Sequence, residues 1–261
     1  MDLGLSGRVA LVTASSGGMG RNIALTLARE GADIVLFARS ADKLSELAGT
    51  LEGEHGVRAL PVTGSILDAG DITRLYATIK ETFGRLDVAV FSTGRAPTPL
   101  RATLDETERS RWDESYEILL AGIVDLALGA APLMTENKWG RMITITSASV
   151  ARPMPHHALS TVFRAGVEAY MQHLSGEVGS AGITVNCVAP ALIDAAHREG
   201  SGAYSEAQLA ARRRMTSLNR LGTQEEVCGV VAFLASVQAG FVTGESIRVD
   251  GGMAACLLPA S

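Results

Sequence analysis

Residues 9–20 read Val9-Ala10-Leu11-Val12-Thr13-Ala14-Ser15-Ser16-Gly17-Gly18-Met19-Gly20, an apolar run of strand length that breaks into a serine- and glycine-rich turn. Helical spacing follows, with Ile23, Leu27 and Ala28 on one face. Strand, glycine-rich turn and helix in this order make a phosphate cradle. The glycines let the backbone turn tightly, and the helix N-terminus offers free N–H groups and the positive end of its dipole to an anion. The turn alone is a modest signal, and its place at the first strand–helix junction gives it weight. Ser15, Ser16, Gly18, Met19 and Gly20 are the expected contacts to a dinucleotide.

The rest of the chain repeats the rhythm. Apolar runs recur at Ile34–Phe37, Ala59–Val62, Val88–Phe91, Met142–Ile145, Ile183–Val188 and Ile247–Val249. They are continuous rather than alternating, as parallel strands covered on both faces require. Between them Leu44, Leu47 and Leu51 share a helical face, as do Ile72, Leu75 and Ile79. The pattern predicts an α/β fold, a Rossmann-type doubly wound parallel sheet of about seven strands with helices on both faces. No linker or solenoid repeat interrupts it, so residues 1–261 are expected to form one domain. Residues 194–217 depart from the rhythm, carrying His197, Arg198, Tyr204 and Arg212-Arg213-Arg214. Such an excursion either closes as a lid over the strand ends or lies solvated on the surface.

Composition narrows the function. The 261 residues are 47% hydrophobic and 20% charged, with a net charge of −5, which excludes a disordered chain. The negative balance also argues against a nucleic-acid partner, which would call for a basic stripe. Cys187, Cys228 and Cys256 form neither an even framework nor a CxxC pair, so reduced thiols in a cytoplasmic protein are expected, with no metal site. The start, Met1-Asp2-Leu3-Gly4-Leu5, lacks the pattern of a secretory leader. Ile118–Met134 carries Asp125 as its one charge and is short for a membrane span. A helix apolar nearly all round is expected in the core or in a subunit interface.

At the end of the second strand run stands Arg39, followed by Ser40. An acidic residue near this place would bind the ribose hydroxyls of NAD, whereas arginine pairs with the extra phosphate of NADP. NADP is therefore the expected cofactor.

Further motifs follow in order: Gly84-Arg85-Leu86-Asp87, Gly140-Arg141-Met142-Ile143, Val185-Asn186-Cys187-Val188-Ala189-Pro190, Arg220-Leu221-Gly222, and Thr243-Gly244 with Val249-Asp250-Gly251-Gly252. With the glycine turn they make the chain resemble, over nearly its whole length, a classical short-chain dehydrogenase/reductase of the β-ketoacyl-carrier-protein-reductase-like kind. The resemblance implies hydride transfer between NAD(P)H and a carbonyl or alcohol, usually in a homotetramer. It implies cofactor contacts from Ser65 and Ile66, from Ser92, Thr93 and Gly94, and from Pro190 and Ile193.

Four residues carry that family's chemistry: a serine on the carbonyl oxygen, a tyrosine as acid/base, a lysine that tunes it, and an asparagine acting through water. The serine aligns with Ser147, but the tyrosine position is Ser160, the lysine position Arg164 and the asparagine position Leu119. Milder departures are Ala14 for a turn glycine, Ser65 for an aspartate, Phe91-Ser92-Thr93-Gly94 for Asn-Asn-Ala-Gly and Pro190-Ala191 for Pro-Gly. Ala14 is tolerable if its φ is negative.

Ser160 and Arg164 lie i, i+4, so a helix stacks them on one face. An aliphatic hydroxyl is a far weaker acid than a phenol of pKa ~10, and arginine does not release its proton. Losing general acid catalysis costs about 10²–10⁴-fold. Hydride transfer could survive, slowed, with Ser147 and Arg164 stabilising the alkoxide and water or another group supplying the proton. The volume freed by replacing tyrosine with serine should be filled by substrate, water or a neighbouring side chain. His156, His157, Tyr116 and Tyr204 are alternative proton donors, while Tyr170 falls on a different helical face. Two other readings stand beside the oxidoreductase: a non-redox enzyme such as a lyase or isomerase, and a catalytically silent nucleotide-binding or structural homologue.

Overall fold

The computed structural model describes residues 2–194 and 205–255. Seven strands form one sheet: β1 Val9–Thr13, β2 Asp33–Ala38, β3 Ala59–Thr63, β4 Val88–Phe91, β5 Gly140–Ile145, β6 Ile183–Pro190 and β7 Ser246–Val249. Their order across the sheet is β3-β2-β1-β4-β5-β6-β7, with every neighbouring pair parallel. Each sequence-predicted strand is present, lengthened by one or two residues or unchanged.

The period of two along each strand divides the core. In β1, Ala10 and Val12 face one apolar layer, while Val9 and Leu11 face the other. The first layer is closed by α1 (Gly18–Arg29), α2 (Ala41–His55) and α8 (Gln224–Ala235). The second is closed by α3 (Ala69–Phe83), α5 (Gly122–Asn137) and α6 (Ala158–Val178). Both faces being covered is why the strands read as unbroken apolar runs. Local signals stop the helices: Gly56 and Gly84 end α2 and α3 in the left-handed region at φ 67° and 70°.

The apolar segment Ile118–Met134 lies in a longer helical stretch. α4 (Arg109–Tyr116) passes through a π turn at Glu117–Ala121 into α5. By length and composition the stretch Arg109–Asn137 could cross a membrane, but Leu126, Ala127, Ala130 and Met134 are buried against the sheet. Leu128 is exposed on the opposite side.

The order in which strands are added reverses between β1 and β4: β2 and β3 extend one way from β1, and β4 to β7 the other, all running parallel. The loops leaving β1 and β4 therefore part at their carboxyl ends and open the crevice where ligands bind in such sheets.

Candidate active site

The two walls of that crevice are tied together. The Thr13 hydroxyl at the end of β1 donates to the Ser92 carbonyl at 2.7 Å and accepts from the Ser92 N–H at 2.9 Å. This fixes the segment Ser92-Thr93-Gly94 beside the glycine turn. Thr13 was not among the residues singled out from the sequence; its place at the strand end was the available signal.

The turn corrects one expectation. Ala14 has φ +50°, not a negative value. The turn must fold back over the start of α1 so closely that a Cβ on Gly20 would lie 2.5 Å from the Ala14 carbonyl oxygen. That packing forces the left-handed conformation whichever residue stands there. On the outer side of the turn a Cβ on Gly17 or Gly18 would meet nothing within 4 Å. Ser15 is fully buried, and its hydroxyl has no hydrogen-bond partner among the described residues. Its N–H reaches the Phe37 carbonyl of β2 at 3.4 Å. Ser16 is half-buried, and Met19 packs on the apolar layer beneath α1.

Arg39 emerges exposed two residues beyond Phe37, next to Ser40, which precedes α2. At the end of β3, Ser65 donates its N–H to Asp71 at 2.8 Å, and its hydroxyl accepts from Leu67 N–H at 3.2 Å. Together with Arg74, the Ser65 N–H holds the Asp71 carboxyl below its ordinary range. Ile66 lies against the start of α5, where a Cβ on Gly122 would come 3.1 Å from its carbonyl oxygen. Pro190 closes β6, and Ile193 forms a parallel bridge with Gly222.

The other wall carries Ser147, Ser160 and Arg164. Ser147 follows β5, and its hydroxyl accepts the Ser149 N–H at 3.2 Å. Ser160 lies in the first turn of α6, with Arg164 one turn later. Thr161 ties this turn to the Ser147 segment by donating to the Ser149 hydroxyl at 3.0 Å. Arg164 folds back on its own helix and onto β5: Nε donates to Ser160 Oγ at 3.3 Å and Nη1 to the Ile145 carbonyl at 2.6 Å. Its guanidinium is thus the neighbouring group that reaches Ser160. Burial pulls the Arg164 pKa down to about 10, partly opposed by Glu168. Glu168 itself accepts the Thr146 hydroxyl at 2.7 Å and, with Ser147, lines a cavity of about 100 Å³ that Arg248 also borders. Glu168, on the same helical face as Ser160 and Arg164, is a further residue that the sequence reading passed over.

Leu119 sits in the π turn, buried with Ala96 and Leu159 and covered by Trp112, Ile118 and Phe163. No polar side chain stands at this position to carry a water chain. The approach from Gly94 is braced from below by Arg111, which pairs with Glu106 at 2.8 Å and donates to the Pro97 and Pro99 carbonyls at 3.2 and 2.8 Å.

The alternative proton donors lie elsewhere. His156 is exposed at φ +63°, and His157 Nδ1 donates to the Pro155 carbonyl at 2.7 Å. Neither bonds Ser160 or Arg164. Tyr116 is exposed against the edge of Phe163, and Tyr170 packs in the second apolar layer. Tyr204, His197 and Arg198 lie outside the described residues, as does the rest of 195–204 in the expected lid. Its described end is α7, Glu206–Arg214, opened by a Ser205–Gln208 capping box.

Comparison with known proteins agrees with this architecture. The family described as enoyl-(acyl carrier protein) reductase matches residues 13–254. The chain is 35% identical to a 3-oxoacyl-[acyl-carrier-protein] reductase, FabG, from Pseudomonas aeruginosa, covering 96% of this chain and 99% of that one. It is 33% identical to a short-chain type dehydrogenase/reductase from Picea abies, covering 95% and 93%. Among solved structures, L-sorbose reductase from Gluconobacter frateurii, complexed with NADPH and L-sorbose, superposes with a TM-score of 0.89 at 30% identity, covering 98% of this chain and 100% of that one. With its parallel sheet, glycine turn and chain-long similarity, this protein belongs to the short-chain dehydrogenase/reductase family, among the β-ketoacyl-carrier-protein-reductase-like members.

Proposed function

We propose that this chain is an NADP(H)-dependent oxidoreductase of the carbonyl reductase/alcohol dehydrogenase type with a reworked polar site. The observation that carries this reading is the cradle after β1. It pairs a buried, unpartnered Ser15 hydroxyl with open space over Gly17 and Gly18, beside the exposed Arg39. A buried hydroxyl without a partner is costly unless a ligand supplies one. The NADPH bound to the sorbose reductase lends further support.

In this reading Ser15, Ser16, Gly18, Met19 and Gly20 hold the pyrophosphate, and Arg39 pairs with the 2′-phosphate. Ser65, Ile66, Ser92, Thr93, Gly94, Pro190 and Ile193 line the remaining length of the cofactor. The bound dinucleotide supplies or accepts a hydride. Ser147, Ser160 and Arg164 then act on the substrate oxygen as donors that stabilise developing negative charge. Ser160 is too weak an acid and Arg164 too strong a base to replace a tuned phenol, so the proton comes from water. One domain spanning residues 1–261, a lid at 194–217, a cytoplasmic location and a homo-oligomer, tetramer or dimer, complete the proposal.

The test is a fluorescence titration with NADPH and, separately, NADH. Micromolar binding with NADPH preferred is expected. Binding of neither would refute the oxidoreductase and favour a non-redox or silent role.

A further inference from the structure

Hydride transfer leaves a proton to be moved, and neither Ser160 nor Arg164 can take it up. The hydroxyl is a weak base, and the guanidinium is already fully protonated. Glu168 offers a carboxylate close by. It stands on α6 one turn beyond Arg164, and its Oε1 accepts the Thr146 hydroxyl at 2.7 Å. Its Oε2 accepts no hydrogen bond among the described residues, and no cation among them forms an ion pair with it.

Ser147, after the end of β5, and Glu168, from α6, line one cavity of about 100 Å³, together with Ser246 and Arg248 of β7. The rest of its wall is alanine and valine. A water needs about 10–15 Å³ of such space and two to four polar partners. The cavity therefore has room for several, and the side chains able to hold them are Ser147, Glu168, Ser246 and Arg248. One lone pair of Ser147 Oγ takes the Ser149 N–H, which leaves it a second lone pair and its own hydrogen.

We propose that Glu168 is the proton acceptor for alcohol oxidation in this site, reached from Ser147 through water in the cavity that both residues line. The inference rests on the oxidoreductase reading for its hydride but not for the connection between Ser147 and Glu168. The electron pair of the alcohol C–H leaves as hydride to NADP⁺, and that of its O–H becomes the second bond of the carbonyl. The released proton passes to the free lone pair of Ser147 Oγ, and the serine's own proton passes to cavity water. A water proton then forms the O–H bond on Glu168 Oε2. Solvent takes that proton up past Arg248, which is exposed on the edge strand β7. Reduction runs the same path backwards.

The charged groups facing Glu168 are both cations: Arg164 on its own helix, and Arg248 bordering the cavity from β7. Cys187 of β6 stays neutral, its thiol pushed up by burial and further by Glu168.

The connection is read first without cofactor or substrate. In Ser147→Cys the introduced thiol reacts with iodoacetamide as thiolate, a form that a nearby carboxylate opposes. Adding Glu168→Gln should lower the pH midpoint of alkylation by about one unit, tenfold in thiolate at a fixed pH, with the native cysteines of wild type as the blank. An unchanged midpoint would overturn the inference.

Oxidation of cyclohexanol and 1-phenylethanol by NADP⁺ across pH reads the acceptor itself, with NADPH titrations alongside. The amide oxygen in Glu168→Gln can still accept the Thr146 hydroxyl. That variant should lose about 100-fold or more in kcat and the acid limb of the pH profile, with KM and NADPH affinity within about threefold. Glu168→Asp should keep the limb and part of the rate. A Glu168→Gln protein that retains the limb, or that changes KM instead of kcat, would overturn the inference. NADPH bound with neither alcohol oxidised at any pH would refute it and leave the cofactor reading standing. A shifted alkylation midpoint without NADPH binding would refute the oxidoreductase and its alcohol step while upholding the connection from Ser147 to Glu168.

Discussion

Replacing Ala14 by glycine should stabilise this protein, although it removes a side chain. Ala14 sits at φ +50°, where an L-residue with a Cβ costs roughly 1–2 kcal/mol. Glycine removes that strain but gives the unfolded chain more freedom, which costs about 0.4–1 kcal/mol. The difference centres on about 0.8 kcal/mol in favour of Ala14→Gly. In a chain of this size that raises the thermal midpoint by about 2–3 °C. Guanidinium and thermal denaturation at one fixed protein concentration would measure it, with an unchanged m-value showing that the unfolded state exposes the same surface. A lower midpoint would refute the reasoning, because the methyl group would then contribute more by packing than the backbone loses by strain.

Arg39→Ala should weaken NADPH by about tenfold while leaving NADH nearly unchanged, as two fluorescence titrations would show. Arg111→Met leaves Glu106 buried without its partner and should lower the melting temperature by several degrees. Changing Glu106 to glutamine in the same protein should restore part of the loss. Glu226 is held at a pKa of about 2 by hydrogen bonds from Arg220 and the Thr223 N–H. Its proton binds the unfolded chain more readily, so its stabilisation is complete above the ordinary glutamate range and fades as pH falls through about 2. Glu226→Gln should flatten stability against pH across that acid interval, as urea melts at several pH values would show.

The sheet was legible because its chemistry is local: parallel strands covered twice need continuous apolar residues, and Val9–Val12 or Ile183–Val188 announce themselves. The positions of Ser160 and Arg164 on one helical face followed from spacing alone, and α6 brings them together. Features that depend on three-dimensional return of the chain were hidden. The φ of Ala14 is set by how Gly20 packs beneath it, and the Thr13–Ser92 pair joins residues far apart in sequence. The π turn around Leu119 likewise leaves no periodicity that a reading of apolar positions would register. Glu168 was overlooked because a carboxylate on a helix usually faces water, whereas the Thr146 hydroxyl draws this one towards the end of β5.

The reciprocal Thr13–Ser92 bonds have a mechanical meaning. They act as a spacer bar across the mouth of the crevice, setting its gauge before any molecule arrives. Entry of a ligand then spends little of its binding free energy on drawing the loops together. Adaptation to new substrates is correspondingly pushed outward, to the segments beyond Gly94 and Ile193, which can change length and composition while the gauge at the centre stays the same.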